Sequence, residues 1–367
     1  MIEWGLFLVG LLHVGAFVHL TIIFRSVENH RNTTVNHLPF YSIVIPVRNE
    51  ADNIAHLLND LDELQYAGKF EVIVVDDASE DTTREIVSSF SAKFPLRSFQ
   101  LPREKKGKKA AITMGVSHAK GDWIITTDGD CRVQAGWLTS FAENMDDNTL
   151  MMVGPVKMNY KKLFGALQSF DFSILIGYAA SLVRMGVPSM SNGANLAYRK
   201  EIFHQVGGYN GNDHVPSGDD EFLLLKVYRR FKKGIQFNSD KRAVVSTEPK
   251  ASFHELLNQR KRWLSKWTLH RNAKIIFSVL IILLDNLLMI GALVAILSGA
   301  IHPLWLTLFL MRILAKGFFS ATVNQKIGGN TSWLAVVIYE FIYPFYVVLL
   351  SIASIFGYYT WKGRRYA

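Results

Sequence analysis

The sequence predicts an α/β domain with a Rossmann-like, mostly parallel sheet, flanked at both ends by transmembrane helices. Three observations carry this. Short Val/Ile-rich runs alternate with segments of helical period between residues 40 and 250. Two of those runs lead straight into acidic clusters, at the strand ends where parallel sheets bind ligands. Apolar runs of about 20 residues or more, enough to cross a bilayer, lie on either side of this region.

The bulk composition agrees. Of 367 residues, 49% are hydrophobic and 19% charged, and the mean hydropathy is +0.15. These values exclude a disordered chain, a collagen-like chain and a disulfide scaffold. The single cysteine, Cys131, has no partner for an intrachain bridge and reads as a small buried apolar group. The net charge of +9 fits an anionic lipid surface better than a nucleic acid.

The boundaries expected are an N-terminal anchor over 1–25, the α/β domain over 40–250, an amphipathic interfacial segment over 251–273, and a C-terminal apolar region of two or three spans over 274–360. Trp4–Phe24 reads as an uncleaved span. Glu3 stands where a signal peptide needs basic residues, and Ile22, Ile23 and Phe24 are too bulky for a cleavage site. Arg25, His30 and Arg31 follow, so the next residues are expected in the cytoplasm. That makes a multi-pass protein of the cell membrane with a cytoplasmic catalytic domain.

Tyr41–Pro46 reads as a buried strand and Asp52–Leu64 as a helix with Ile54, Leu57, Leu58 and Leu61 on one face. Phe70–Val75 is a second strand, running into Asp76-Asp77, and Asp81–Phe90 a second helix. Asp122–Thr127 is a later strand, running into Asp128-Gly129-Asp130. Asp219, Asp220 and Glu221 precede a buried helix start at Phe222–Leu225. Ser252–Asn272 mixes Phe253, Leu256, Leu257, Trp263, Leu264 and Trp267 with Arg260, Lys261, Arg262, Lys266 and Arg271, which suits a helix on a membrane surface. The apolar runs Lys274–Ser298, Pro303–Val323 and Trp333–Tyr359 carry Asp285, Arg312, Lys316 and Glu340, costly inside lipid unless they face protein or water. The middle run is therefore open to an interfacial reading. Three spans would place Lys362, Arg364 and Arg365 on the far side and two would return them; both remain open.

Several clusters have a bland and a chemical reading. Asp76 or Asp77 can cap a helix. Asp128 and Asp130, with Gly129 to relax the turn, can share a hard cation with substrate phosphates. Lys105-Lys106-Gly107-Lys108-Lys109 is a solvated loop or a diphosphate clamp. Asp219 and Asp220 are favoured by the helix dipole, or one is a general base. In Gln259–Trp263, Arg suits bidentate phosphate contacts and Trp the apolar face of a sugar.

The order of these motifs is more specific than any one of them. Strand–DD, KGKK, strand–DGD, NGAN, GDDE, QRKRW and then apolar runs resembles the membrane-integrated family 2 glycosyltransferases with a GT-A fold, over about Tyr41 to Trp267. The Q-x-x-R-W ending is similar to that of the hyaluronan-, chitin- and cellulose-synthase-like enzymes and the ceramide glucosyltransferases. The resemblance implies that Pro46, Arg48 and Glu50 line the nucleoside pocket, with Arg48 where many members carry Tyr. It implies that Asp77, beside Asp76, contacts the base, and that Lys108, Asp128, Gln259 and Arg262 serve the donor. Asp128 and Asp130 would hold Mg²⁺ or Mn²⁺. Asn192, Gly193 and Trp263 would face the acceptor, and Asp220, with Asp219 beside it, would be the base. The implied activity is inverting, metal-dependent transfer of a sugar from a nucleotide donor, UDP by expectation, to a hydroxyl of a membrane lipid. Fewer spans than polymer-exporting synthases favour that acceptor over a glycan chain. The alternatives are a processive polysaccharide synthase and a non-catalytic membrane-anchored binding protein. No G-x-G-x-x-G follows the first strand, against a nucleotide oxidoreductase.

Overall fold

The computed structural model describes residues 2–28, 38–213, 215–265, 283–294, 298–299, 303–355 and 359–366. Arg31 and His30, Lys266, Trp267 and Arg271, and the start of the 274–298 run lie outside the described residues.

The near-continuous apolar runs form strands buried on both faces, as central parallel strands require. These are β1 (Tyr41–Val47), β2 (Phe70–Asp76) and β4 (Trp123–Thr126). They join β3 (Leu96–Gln100), β5 (Met151–Val153), β7 (Leu196–Arg199) and β8 (Ile235–Phe237) in a sheet ordered β3-β2-β1-β4-β7-β5-β8. β1 to β4 run parallel, whereas β7 is antiparallel to both β4 and β5. A second small parallel pair is β6 (Val156–Met158) with β9 (Val245–Thr247). Because β2, β1 and β4 are parallel, Asp77, Glu50 and the Asp128–Asp130 turn emerge at one edge of the sheet.

Around the sheet lie α2 (Ile54–Asp62), α3 (Thr83–Ser89), α4 (Lys108–His118), α5 (Trp137–Asn144), α7 (Lys200–Gln205), α8 (Asp219–Phe231) and α9 (Phe253–Leu264). α2 buries Ile54, Leu57, Leu58 and Leu61, the face expected from its spacing.

The sheet meets the apolar helices at α6 (Leu163–Arg184), which sequence reading had not singled out. α6 packs on α1 (Ile2–Arg25), α11 (Pro303–Ile327) and α12 (Trp333–Ile355). Phe24 of α1 and Phe319, Val323 and Ile327 of α11 belong to the same core as the sheet. Phe170 of α6 packs with Met289 and Leu293 of α10 (Leu283–Val294), Phe309 and Ile313 of α11, and Val336 and Tyr339 of α12. α1, α6, α11 and α12 are each long and apolar enough to cross a membrane. The outer faces stay apolar: Leu306, Leu310, Leu314 and Phe318 form an exposed i, i+4 stripe on α11, and Leu8, Leu12 and Ile22 are exposed on α1.

The charges inside these helices point inward. Arg312 is 1% exposed and reaches Asp285 at 2.7 Å and Glu340 at 2.7 Å. Lys316 holds the other oxygen of Glu340 at 2.7 Å, and His13 lies 3.1 Å from Asp285. Four helices are thus joined by one buried charge cluster, so α11 needs no interfacial placement to account for Arg312 and Lys316. A second tie links α9 to the bundle. Arg260 pairs with Asp171 of α6 at 2.5 Å, and Tyr339 of α12 donates its hydroxyl to the same carboxylate.

After α12 the chain returns to the sheet edge as a hairpin of β10 (Tyr359–Trp361) and β11 (Arg364–Tyr366).

Candidate active site

The loops after β1 and β2 are stitched together by their own polar groups. Asn49 sits at φ 51°, tolerable for Asn, and its side-chain oxygen accepts from the Glu80 N–H at 2.9 Å. The Ser79 hydroxyl accepts from the Asn49 N–H at 3.0 Å, and the Thr83 hydroxyl from the Glu50 N–H at 2.8 Å. Asp76 accepts from both the N–H and the hydroxyl of Ser79, so its carboxylate holds the turn. Arg48 is buried and donates to the carbonyls of Asp77 and Ala78 and to Glu80. It is built into the loop wall and does not replace the stacking face of a tyrosine. Asp77 is placed differently. Its Oδ2 accepts from the Gly107 N–H at 2.9 Å, while its buried Oδ1 has no hydrogen-bond partner. Pro46 is the next-to-last residue of β1, opposite Val75.

At the end of β4, Gly129 is pressed against the first loop. A Cβ there would lie 3.0 Å from Glu50 Cγ and 3.1 Å from Val47 Cγ1. Asp128 and Asp130 flank it, both half-buried. Burial, reinforced by Asp130, lifts the Glu50 carboxyl above its ordinary value despite the nearby Lys362. Two carboxylates on one turn are the kind of pair that fits a divalent cation whose remaining ligands are phosphate oxygens and water. Cys131, next in sequence, is buried, and burial with Asp130 and Asp128 pushes its thiol well up, away from nucleophilic use.

Lys108 opens α4 and joins the two acidic motifs. Its Nζ lies 2.7 Å from Asp128 Oδ1 and 3.0 Å from Asp219 Oδ2. Burial would lower its pKa, but the two carboxylates raise it, so it stays charged. Burial would raise Asp219, yet Lys108 and then Arg262 outweigh it and hold the carboxyl below the usual range. Asp219 is therefore an anchored anion. Asp220 beside it is half-buried. Its Oδ2 accepts from the Gly193 N–H at 3.1 Å and its Oδ1 from the Glu221 N–H at 2.7 Å, which fix its direction. Lys109 is not part of a diphosphate clamp: it donates to the carbonyls of Asn212 at 2.7 Å and Val215 at 2.9 Å, and so braces the approach to α8.

Gly193 admits no side chain. A Cβ would lie 2.5 Å from Asp219 Oδ2 and 3.0 Å from Lys108 Nζ. Gly193→Ala is expected to split that ion pair and lower the turnover rate by about 10²-fold, as small misplacements at a reacting centre do. Initial-rate measurements check this; an unchanged rate would show that the pair is not needed in this geometry. Asn192 accepts from the Ala194 N–H at 3.0 Å and shapes the same loop. On α9, Arg262 acts on Asp219 and Gln259 carries a buried Oε1 without a hydrogen-bond partner. Trp263 has the Arg260 guanidinium over its ring at 4.4 Å, so one face is already covered.

The structure thus brings Lys108, Asp128, Gly193, Asp219, Asp220 and Arg262 together, with Glu50, Asp77 and Asp130 along the same edge. Arg48 and Asp76 are engaged in loop structure. Sequence reading missed Asp171, whose partners are 89 and 168 residues away, and it treated Lys362 and Arg364 only as markers of topology.

The Rossmann-like sheet is that of the GT-A fold, and residues 42–207 match the model of the family described as Glycosyl transferase family 2, which makes the chain a glycosyltransferase. Among curated proteins, the chain is 29% identical over 227 residues to Glycosyltransferase AglE of Haloferax volcanii, covering 61% of this chain and 72% of that protein. It is 34% identical over 172 residues to the Dolichol-phosphate mannosyltransferase of Pyrococcus furiosus, but spans only 47% of that protein's length and 45% of its own. A solved mannosyltransferase from Pyrobaculum calidifontis, in complex with GDP-Man and Mn²⁺, superposes with a TM-score of 0.58 at 15% identity, over 96% of this chain and 99% of that one. That likeness establishes the shared fold.

Proposed function

We propose that the protein transfers a single sugar, with inversion, from a nucleoside-diphosphate sugar to a hydroxyl of a membrane lipid. The observation that carries this reading is the Lys108 bridge: one ammonium joins the metal-type carboxylate Asp128 to the acidic pair that includes Asp220. Donor end and base end of a displacement thereby share one fixed geometry. Asp77 Oδ1 is a buried acceptor suited to a base N–H. Asp128 and Asp130 are the residues for Mg²⁺ or Mn²⁺, which when bound would neutralise charge on the departing diphosphate. Asp220 takes the proton of the attacking hydroxyl, and Asp219, Lys108 and Arg262 hold it in line. No covalent enzyme intermediate is required.

The lipid acceptor is supported by the exposed apolar faces of the helices packed on the catalytic domain and by a relative named Beta-monoglucosyldiacylglycerol synthase. The hairpin adds a topological argument. α9 and β10–β11 both lie on the catalytic domain, which calls for an even number of crossings between them. α11 and α12, joined by residues 328–332, are two candidate spans in that stretch. Lys362, Arg364 and Arg365 then share the side of Arg25, consistent with a cytoplasmic catalytic domain.

Asp130→Ala is expected to abolish the part of nucleotide binding that depends on Mn²⁺. Titrations of UDP and of GDP with and without Mn²⁺ test it; identical isotherms for the variant and the natural protein would refute the metal assignment.

A further inference from the structure

The C-terminal hairpin sits on the loops assigned to the nucleoside. Its two-residue turn, Lys362-Gly363, has φ of 49° and 77°, the doubly left-handed turn that closes tight hairpins. A lone two-stranded hairpin is marginal in water, so its partners decide its position. Lys362 Nζ lies 2.7 Å from Glu50 Oε1, and Arg48 Nε donates to the Lys362 carbonyl at 2.9 Å. Arg364 reaches Asp77 Oδ2 at 2.6 Å and the Asp77 carbonyl at 3.1 Å. β10 also packs on α9, the helix of Gln259 and Arg262. Every one of these polar contacts falls on a residue of the first-strand loop or the second-strand end, about 290 to 310 residues earlier in the chain.

The charges explain why a donor site would need this. Glu50, Asp77, Asp128 and Asp130 present four carboxylates to a ligand that is itself a polyanion. Lys108 is engaged by Asp128 and Asp219, and Arg48 by loop carbonyls. The hairpin brings two further cations to this edge. It also fixes one oxygen of Asp77 and leaves the other, Oδ1, buried as an acceptor.

We propose that the C-terminal hairpin completes the nucleotide-binding site, with Arg364 positioning Asp77 and Lys362 positioning Glu50 for a nucleoside diphosphate. The inference rests on the glycosyltransferase reading above. It makes donor affinity depend on residues 359–366, and so on the α11–α12 pair that delivers them.

The test uses the full chain in lipid nanodiscs, with UDP and GDP as probes in the presence of Mn²⁺. Arg364→Ala and Lys362→Ala should each weaken nucleotide binding by about tenfold or more, the scale of a lost hydrogen bond to a charged group. The donor KM should rise while kcat stays near that of the natural protein, and Arg364→Lys should restore much of the affinity. A merely structural hairpin would instead move unliganded thermal stability and leave KM alone. Unchanged binding in both variants would overturn the proposal, and so would tighter binding, which would make the hairpin an obstruction. Hydrogen exchange on the natural chain serves if the variants fold poorly: nucleotide should slow exchange at β10 and β11, and no slowing would count against the inference. If the natural protein binds nucleotide and Asp130→Ala does not, while the hairpin variants bind normally, only the hairpin assignment fails. If the natural protein binds neither UDP nor GDP, both readings fail.

Discussion

Asp220→Asn protein is expected to bind nucleotide like the natural protein and to transfer sugar about 10²–10⁴-fold more slowly, the usual contribution of a positioned general base. The geometry separates the two neighbouring acids. Asp219 is buried against Lys108, its carboxyl held low by that ammonium and by Arg262 despite burial. Asp220 is half-buried, and two backbone N–H groups orient it. The amide in Asp220→Asn keeps the shape and loses the basicity. Asp219→Asn should act otherwise, loosening Lys108 and with it Asp128. Single-turnover rates with nucleotide titrations check this; full turnover by Asp220→Asn would move the base elsewhere.

Arg312→Met is expected to cost about 3–5 kcal/mol, the range for removing one member of a buried ion pair. The arginine bridges α10 and α12, holding Asp285 and Glu340. Without it two carboxylates share Lys316 and His13 inside an apolar bundle. A double variant, Arg312→Met with Asp285→Asn, should recover much of the loss, because it leaves the Lys316–Glu340 pair balanced. Thermal unfolding in a mild detergent compares them. An Arg312→Met protein as stable as the natural one would mean that water, and not protein, solvates these groups.

The central strands were legible because burial on both faces writes an uninterrupted apolar run. β1, β2 and β4 begin and end within a residue of where Tyr41–Pro46, Phe70–Val75 and Asp122–Thr127 place them. The acidic clusters were legible because each follows such a run or opens a helix. β3 was not, since Leu96–Gln100 is an edge strand of half-exposed residues. β5, β7 and β8 are three or four residues long, too short for any period to register. The antiparallel entry of β7 depends on pairing across the fold. Local pattern marked Lys108 as part of a basic run but could not show that it reaches Asp219, 111 residues later. The same limit hid the Arg364–Asp77 contact and the Asp171–Arg260–Tyr339 tie. Long-range ion pairs leave no local periodicity, so Arg364 read only as a basic residue marking topology, and Asp171 gave no signal at all.

The most direct test of the central claim is a labelled-donor partition. Membranes containing the protein are incubated with Mn²⁺ and sugar-labelled UDP and GDP donors, and the products are split between organic solvent and an aqueous high-mass fraction. Label is expected in the organic phase, and chelation of Mn²⁺ or the Asp220→Asn substitution is expected to abolish it. Label confined to the high-mass fraction, or organic label equally strong in the Asp220→Asn membranes, would contradict lipid glycosylation at this site.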